Sequence, residues 1–149
     1  MTTDTRLILF IEDSDDDFFA AERAFKKAGL KNIIRRLTNG DQAIDYLTHR
    51  GKFEEPNDAP LPGLILLDLN LPGLDGRDVL RFVKADARLR KIPVIVLTTS
   101  NAQKDIQQCY DDGANTYVQK PVELQGFIQA ITQLKEYWFE IAILPREEA

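Results

Sequence analysis

Acidic side chains follow two short apolar runs of the sequence. Glu12 and Asp13 come directly after the run at 7–11, and Asp68 comes directly after the run at 64–67. Runs of this length are typical of buried strands. If the two strands are parallel neighbours, their carboxyl ends meet and the three carboxylates converge. Carboxylates that close repel one another unless a hard cation lies among them, and Mg²⁺ is the expected ion.

Two further side chains extend this set toward phosphate chemistry. Thr98 follows the apolar run at 94–97, and Lys120 follows the run at 116–119. Taken alone, each of these residues is more often a turn former, a helix cap or a solvated side chain. Together at four strand ends, they indicate a site where Lys120 and Thr98 bind phosphoryl oxygens beside Mg²⁺. Asp68 would then be the nucleophile and form an aspartyl phosphate.

The elements that position these side chains alternate along the chain. Five strand-like runs are each followed by a pattern of helical period, and the strands are expected at 7–11, 32–37, 64–67, 94–97 and 116–119. Parallel strands need crossovers, and helical crossovers cover both faces of the sheet. Residues 51–63 contain three prolines and are expected to form a surface loop. The sequence therefore predicts an α/β fold, a doubly wound (βα)5 three-layer sandwich around a parallel sheet.

Composition limits the compartment and the partners. The 149 residues fit one domain, and a net charge of −5 without a long basic run argues against a nucleic-acid-binding face. No apolar run approaches the roughly 18 residues that span a bilayer, and the N-terminus does not resemble a signal peptide. The single cysteine, Cys109, excludes an intramolecular disulfide and is expected to be a packing or surface thiol. We expect a cytoplasmic protein that binds neither membranes nor nucleic acid.

Four motifs resemble those of the CheY-like receiver domains of two-component response regulators. They are Ile11-Glu12-Asp13, the segment at 67–76, Leu97-Thr98-Thr99-Ser100 and the segment at 117–121. The resemblance implies the flavodoxin-like, CheY-like sheet order 2-1-3-4-5. It also implies a receiver domain at 7–137, after a tail at 1–6 and before an extension at 138–149 that is first apolar and then disordered.

The resemblance implies a metal site and a phosphoacceptor. Asp68 would accept the phosphoryl group, Asp13 would bind Mg²⁺ directly, and Glu12 would bind it through water. The backbone carbonyl of Asn70 would complete the protein's share of the coordination. The side chains of Asn70 and Ser100 occupy positions at which the family tunes dephosphorylation.

The resemblance also implies a switch. Thr98 and Tyr117 match a pair in which the hydroxyl moves toward the phosphate and the aromatic ring follows it inward. Lys120 would bind the phosphate, and the bond to Pro121 would be cis.

Within this family, the chain is most similar to single-domain regulators of phytochrome-type histidine kinases. The similarity lies in residues 68–72 and 93–100, the loop at 51–63 and the ending at 138–145. It implies phosphoryl transfer from a phosphohistidine of such a kinase, and a homodimer. The apolar tail would either pack on its own domain or form the homodimer interface together with the face of the fourth and fifth helices, with Trp138 and Phe139 as interface candidates.

Two other functions fit the residues less well than a signalling domain does. An aspartyl-phosphate phosphatase or phosphotransferase usually has a second acid two residues after the nucleophile, where this chain has Asn70. A nucleotide-binding domain would have a glycine-rich loop after the first strand, where this chain has acids. We therefore expect no enzyme beyond self-phosphorylation and autodephosphorylation. With no DNA-binding domain after residue 138, output is expected through protein contacts or a further phosphotransfer.

Overall fold

The sheet has the predicted strand order. In this computed structural model, which describes residues 6–145, the parallel strands pair in the order β2-β1-β3-β4-β5. The strands are β1 (Ile8–Ile11), β2 (Ile34–Leu37), β3 (Leu64–Leu67), β4 (Val94–Thr98) and β5 (Thr116–Gln119). Ile11 pairs with Leu67, and Leu67 pairs with Val96. The residues that follow β1, β3 and β4 therefore meet at one edge of the sheet.

Helices cover both faces of this sheet, so the three-layer prediction is confirmed. They are α1 (Asp15–Lys27), α2 (Gly40–Thr48), α3 (Gly76–Ala85), α4 (Gln103–Asp111) and α5 (Leu124–Glu136). Alternate residues of β1 divide the core: Leu9 and Ile11 face the layer with α2, α3 and α4, while Ile8 and Phe10 face the layer with α1 and α5. Among the helices of residues 6–145, none combines the length and the apolar character that a membrane span requires.

The loop at 51–63 is more ordered than its prolines indicate. It contains two short 3-10 turns, Gly51–Phe53 and Pro56–Asp58. Phe53 is buried, and the guanidinium of Arg35 stacks over its ring at 5.1 Å. The loop therefore lies on the surface as predicted but contributes one aromatic side chain to the core.

The segment after α5 packs on its own chain. A π-helical turn, Tyr137–Ile141, continues α5, and both Phe139 and Leu144 are buried in the layer with α1 and α5. Arg6 donates a hydrogen bond to the carbonyl oxygen of Pro145. Phe139, expected as an interface candidate, is therefore packed in the apolar core of its own domain and is almost fully buried. Residues 1–5 of the expected tail and residues 146–149 of the expected disordered end lie outside the described residues.

Candidate functional site

Three carboxylates converge at the carboxyl edge of the sheet. Glu12 and Asp13 follow β1, Asp68 follows β3, and one oxygen from each lies within 4.8 Å of the others. Glu12 and Asp68 are buried, whereas Asp13 is exposed. Oxygen donors at this density are the ligands that Mg²⁺ prefers, and the open side at Asp13 gives an ion a path to the pair below. The donor set therefore fits a divalent cation.

Lys120 holds the buried acids together from the end of β5. Its Nζ atom lies 2.5 Å from Glu12 Oε1, 2.9 Å from Asp17 Oδ2 and 3.2 Å from Asp68 Oδ2. Only 6% of the lysine is exposed, and none of Glu12 is. A buried ammonium needs an acceptor for each of its three N–H groups, and the three carboxylates supply them.

Burial controls the ionisation of this cluster. Burial is the largest cause of the shift that raises the pKa of Glu12 from 4.5 to about 7, against a hydrogen bond from Lys120 that lowers it. The charge of Asp68 adds to the rise. Burial alone would lower the pKa of Lys120, but hydrogen bonds to Glu12 and Asp17 outweigh it and raise that pKa above its ordinary value. The lysine is therefore a permanent cation.

Thr98 and Asn70 border the phosphoacceptor candidate. The Thr98 hydroxyl is fully buried and has no hydrogen-bond partner among residues 6–145. A buried hydroxyl without a partner costs free energy, so this atom is suited to a ligand oxygen that enters the site. The backbone N–H of Asn70 donates to Asp68 Oδ1 at 3.2 Å, which orients the carboxylate.

Ser100 and Tyr117 belong to a network beside the site. The Tyr117 hydroxyl donates to the carbonyl oxygen of Ser100 at 2.9 Å, and the Ser100 hydroxyl donates to Asp105 at 2.7 Å. Arg77 pairs with the same carboxylate at 2.9 Å. The hydrogen bonds from Ser100 and then Arg77 lower the pKa of Asp105. The network joins the start of α3 to α4 and to the loop after β4.

The predicted cis bond before Pro121 is not found. No peptide bond among the described residues is cis, so Lys120 and Pro121 are joined by a trans bond. The trans isomer of such a bond is the lower in energy by about 0.5–1 kcal/mol. In this conformation the backbone N–H of Lys120 still donates to the carbonyl oxygen of Thr98 at 2.7 Å.

Three residues that shape the site were missed by sequence reasoning. Asp17, in the first turn of α1, reaches Lys120. Arg36, at the end of β2, donates from Nε to the carbonyl oxygen of Glu12 at 2.9 Å and pairs with Asp15 at 2.6 Å. Gly76, the first residue of α3, packs against the backbone after β3: a Cβ there would lie 2.1 Å from the carbonyl oxygen of Asp68.

Comparison with known proteins decides the family. Residues 8–132 match the response regulator receiver domain. The chain belongs to this family. The receiver domain is a signalling domain, so the expectation that the chain is not an enzyme of the ordinary kind is supported. Membership of the family also supports the expectation that the partner is a histidine kinase.

Two curated relatives are similar to this chain over most of its length. It is 38% identical over 135 residues to the probable methanogenesis regulatory protein FilR2 of Methanothrix harundinacea, covering 91% of this chain and 84% of the relative. It is 35% identical over 140 residues to the response regulator Rcp1 of Synechocystis, covering 94% of this chain and 93% of Rcp1.

Solved structures agree with these matches. The crystal structure of the Mn²⁺-bound form of Rcp1 matches with a TM-score of 0.89 at 35% identity, over 95% of this chain and 99% of that one. The phosphorylated cyanobacterial phytochrome response regulator RcpA matches with a TM-score of 0.90 at 35% identity, over 96% of this chain and 100% of that one. The predicted likeness to phytochrome response regulators is therefore confirmed. The Mn²⁺ in Rcp1, together with the carboxylate cluster of this chain, supports divalent metal binding.

Proposed function

We propose that this receiver domain accepts a phosphoryl group on Asp68 from a phosphohistidine of a partner histidine kinase. The observation that carries the proposal is the pairing of a buried aspartate with a buried lysine beside two further acids. Lys120 Nζ lies 3.2 Å from Asp68 Oδ2, at the same edge of the sheet as Glu12 and Asp13. A carboxylate that is buried, oriented by a backbone N–H and adjacent to a fixed cation is prepared for nucleophilic attack on phosphorus.

The transfer exchanges one bond to phosphorus for another. An oxygen of the Asp68 carboxylate forms a P–O bond while the P–N bond to the donor imidazole breaks. The bonding electron pair leaves with the imidazole nitrogen, which takes a proton from water. Lys120 and the Thr98 hydroxyl bind phosphoryl oxygens as they arrive, so the hydroxyl gains the partner it lacks among the described residues.

Glu12, Asp13 and Asp68, with the backbone carbonyl of Asn70, would hold Mg²⁺. When bound, the ion supplies positive charge between Asp68 and the negatively charged phosphoryl group. The three carboxylates within 4.8 Å support this assignment.

Phosphorylation would be read through Thr98 and Tyr117. Movement of the Thr98 hydroxyl toward the phosphate would shift the loop after β4, whose Ser100 carbonyl holds the Tyr117 hydroxyl at 2.9 Å. The ring, half-buried against the α2–α4 layer, would follow. Asn70 and Ser100 would set the rate at which the aspartyl phosphate hydrolyses.

The kinase partner is proposed to be of the phytochrome type. The proposal rests on the match to RcpA over nearly the whole chain. Transfer from a purified phytochrome-type kinase tests it, with a kinase of another sensor class as the control. Faster transfer from the control kinase would contradict this assignment and leave the phosphoacceptor proposal intact.

Incubation with acetyl phosphate and Mg²⁺ tests the phosphoacceptor proposal. Intact-protein mass spectrometry should detect one added phosphoryl group that survives acid and is lost in base. Asp68→Asn should abolish the adduct, whereas Asp16→Asn, at an exposed position of α1, should not. An undiminished adduct in Asp68→Asn would overturn the assignment.

We also propose a homodimer through the face of α4 and α5 and the segment after them. Tyr137, Ile141 and Ile143 are exposed apolar residues of that segment, and Trp138 lines a groove between β5 and α5. Light scattering after gel filtration should give a dimer for the wild type and a monomer for Ile143→Asp. Ile33→Asp, an exposed apolar site directly before β2 at the opposite edge of the sheet, is the matched control and should remain dimeric. A monomeric wild type, or a dimeric Ile143→Asp, would contradict the proposal.

A further inference from the structure

Lys120 has one carboxylate partner that the proposed reaction does not use. Asp17 accepts from its Nζ at 2.9 Å, a shorter contact than the 3.2 Å to Asp68. Asp68 would receive the phosphoryl group, and Glu12 would bind the cation. Asp17 is not among the three carboxylates that converge as a metal site. Its contact with the lysine therefore has no role in the proposed transfer.

The position of Asp17 is fixed by α1. Its backbone N–H donates to the hydroxyl of Ser14, the N-cap residue, at 3.2 Å. In the first turn of a helix, the aligned peptide dipoles favour a carboxylate. The Asp17 side chain is 39% exposed, so solvent contacts its carboxylate as well as the lysine does. The N-cap hydrogen bond, the helix dipole and the solvent contact do not depend on an ion or a phosphoryl group in the site.

The other two partners of Lys120 change during the reaction. Phosphorylation converts the Asp68 carboxylate into an acyl phosphate, and a cation competes with the lysine for Glu12. A lysine has a flexible four-carbon stem, and without a constant partner its ammonium would have to be ordered when the phosphoryl group arrives. A constant partner places the donor in advance, which lowers the entropic cost of binding the transferred group.

We propose that Asp17 is a positioning residue for Lys120. It holds the ammonium in place while Glu12 binds a cation and Asp68 receives the phosphoryl group. The inference rests on the proposed function. The hydrogen bond from Lys120 to Asp17 also contributes to the raised pKa of the lysine.

The test compares Asp17→Ala, Asp17→Asn and Asp16→Ala. The rate of phosphorylation is measured against acetyl phosphate concentration at saturating Mg²⁺. We expect Asp17→Ala to raise the apparent KM by about threefold to tenfold, the order expected for a weakened charged hydrogen bond. Asp17→Asn keeps an acceptor oxygen of similar size and should recover most of the loss. Asp16→Ala lies in the same turn but on the exposed side and should behave as the wild type.

Two further readouts separate positioning from folding and from metal binding. The Kd for Mg²⁺ should be the same within about twofold in all variants, because Asp17 lies outside the carboxylate cluster. Exchange of the Lys120 ammonium protons with water, followed by nitrogen-15 NMR, should be faster in Asp17→Ala than in the wild type.

The outcomes are distinct. A wild type that takes no phosphoryl group contradicts the proposed function. The exchange rate of the Lys120 ammonium protons still tests whether Asp17 positions the lysine. Normal wild-type phosphorylation with an unchanged KM in Asp17→Ala overturns this inference alone. A parallel loss of Mg²⁺ affinity also overturns it, because Asp17 would then belong to the metal site. If Asp17→Ala does not fold, the KM of Asp17→Asn tests the inference instead. A KM raised about tenfold in that variant overturns the inference, since the amide oxygen should suffice to accept the hydrogen bond from Lys120.

Discussion

The Lys120 ammonium lies 3.2 Å from Asp68 Oδ2, although 52 positions separate the two residues. β3 and β5 bring them together from either side of β4. The phosphoacceptor candidate is thus paired with a buried cation before any phosphoryl group arrives. The same cation offsets the repulsion among the acids, so loss of Lys120 should affect both chemistry and stability.

Lys120→Met should destabilise the fold in the absence of divalent ions. It removes the partner of the buried Glu12 and Asp68, and loss of one side of a buried ion pair costs about 3–5 kcal/mol. Saturating Mg²⁺ should restore part of the free energy of unfolding, since the ion supplies the missing charge. Urea denaturation with and without Mg²⁺ measures both effects. Lys91→Met, at an exposed site, is the control. Equal stability of the two variants would contradict the role of Lys120.

Mg²⁺ affinity should rise with pH. The pKa of Glu12 is about 7, so a proton competes with the cation near neutrality. A group with that pKa is about one-tenth ionised at pH 6 and nine-tenths ionised at pH 8, which predicts roughly tenfold tighter binding over this interval. Calorimetry at constant ionic strength measures it. Glu12→Gln should bind more weakly with a smaller pH dependence, and a flat wild-type profile would show that Glu12 does not titrate there.

The same shift predicts how stability depends on pH without metal. The folded state retains the Glu12 proton up to about pH 7, whereas the unfolded chain releases it near 4.5. Between these values the folded state binds more protons, so this group lowers the free energy of unfolding as pH rises. Urea denaturation of wild type and Glu12→Gln from pH 5 to 8 should show the decline in the wild type only. A parallel decline in both would assign it to other groups.

Gly76→Ala should displace the phosphoacceptor loop. The added Cβ would lie 2.1 Å from the carbonyl oxygen of Asp68 and 2.7 Å from Leu69 Cα, so the backbone must move. We expect a loss of about 1–3 kcal/mol in stability and slower phosphorylation by acetyl phosphate. Gly126→Ala, where the nearest atom is the Pro121 side chain at 3.1 Å, should change stability by less than about 1 kcal/mol. Similar effects at both glycines would remove the argument from close approach.

Cys109 should be unreactive in the folded protein. The thiol is buried on α4, and burial raises its pKa to about 11 from 9.0. At pH 8 this lowers the thiolate fraction about a hundredfold, and the thiolate is the form that reacts. Labelling with a disulfide reagent should therefore be at least about a hundredfold slower in buffer than in urea. Comparable rates would show that the thiol is accessible.

The strands and the acidic cluster could be predicted from the sequence because their signals are local. Four of the five predicted strands are followed directly by a residue of the candidate site, and β3 and β5 have their predicted bounds. β2 begins at Ile34 instead of residue 32, where the Asn32 amide donates to the carbonyl oxygen of Arg6. The loop at 51–63 has no periodicity, so its two 3-10 turns and the burial of Phe53 could not be read from it.

The missed features depend on contacts between distant segments. Acids in the first turn of a helix are common for capping and dipole reasons, so Asp17 carries no local sign that it reaches Lys120. Phe139 is of a residue type that is common at interfaces, and only its packing in the layer with α1 and α5 shows that it is buried. The isomer of the bond before Pro121 is likewise set by its surroundings, which a motif does not contain.

Mapping the modified residue tests the central claim most directly. The protein is phosphorylated with acetyl phosphate and Mg²⁺, and the acyl phosphate is reduced with borohydride, which converts the modified aspartate to homoserine. Digestion and mass spectrometry then identify the position. We predict homoserine at position 68 alone, absent when Mg²⁺ is chelated. Homoserine at position 13 or 17, or an unmodified Asp68 in phosphorylated protein, would contradict the account.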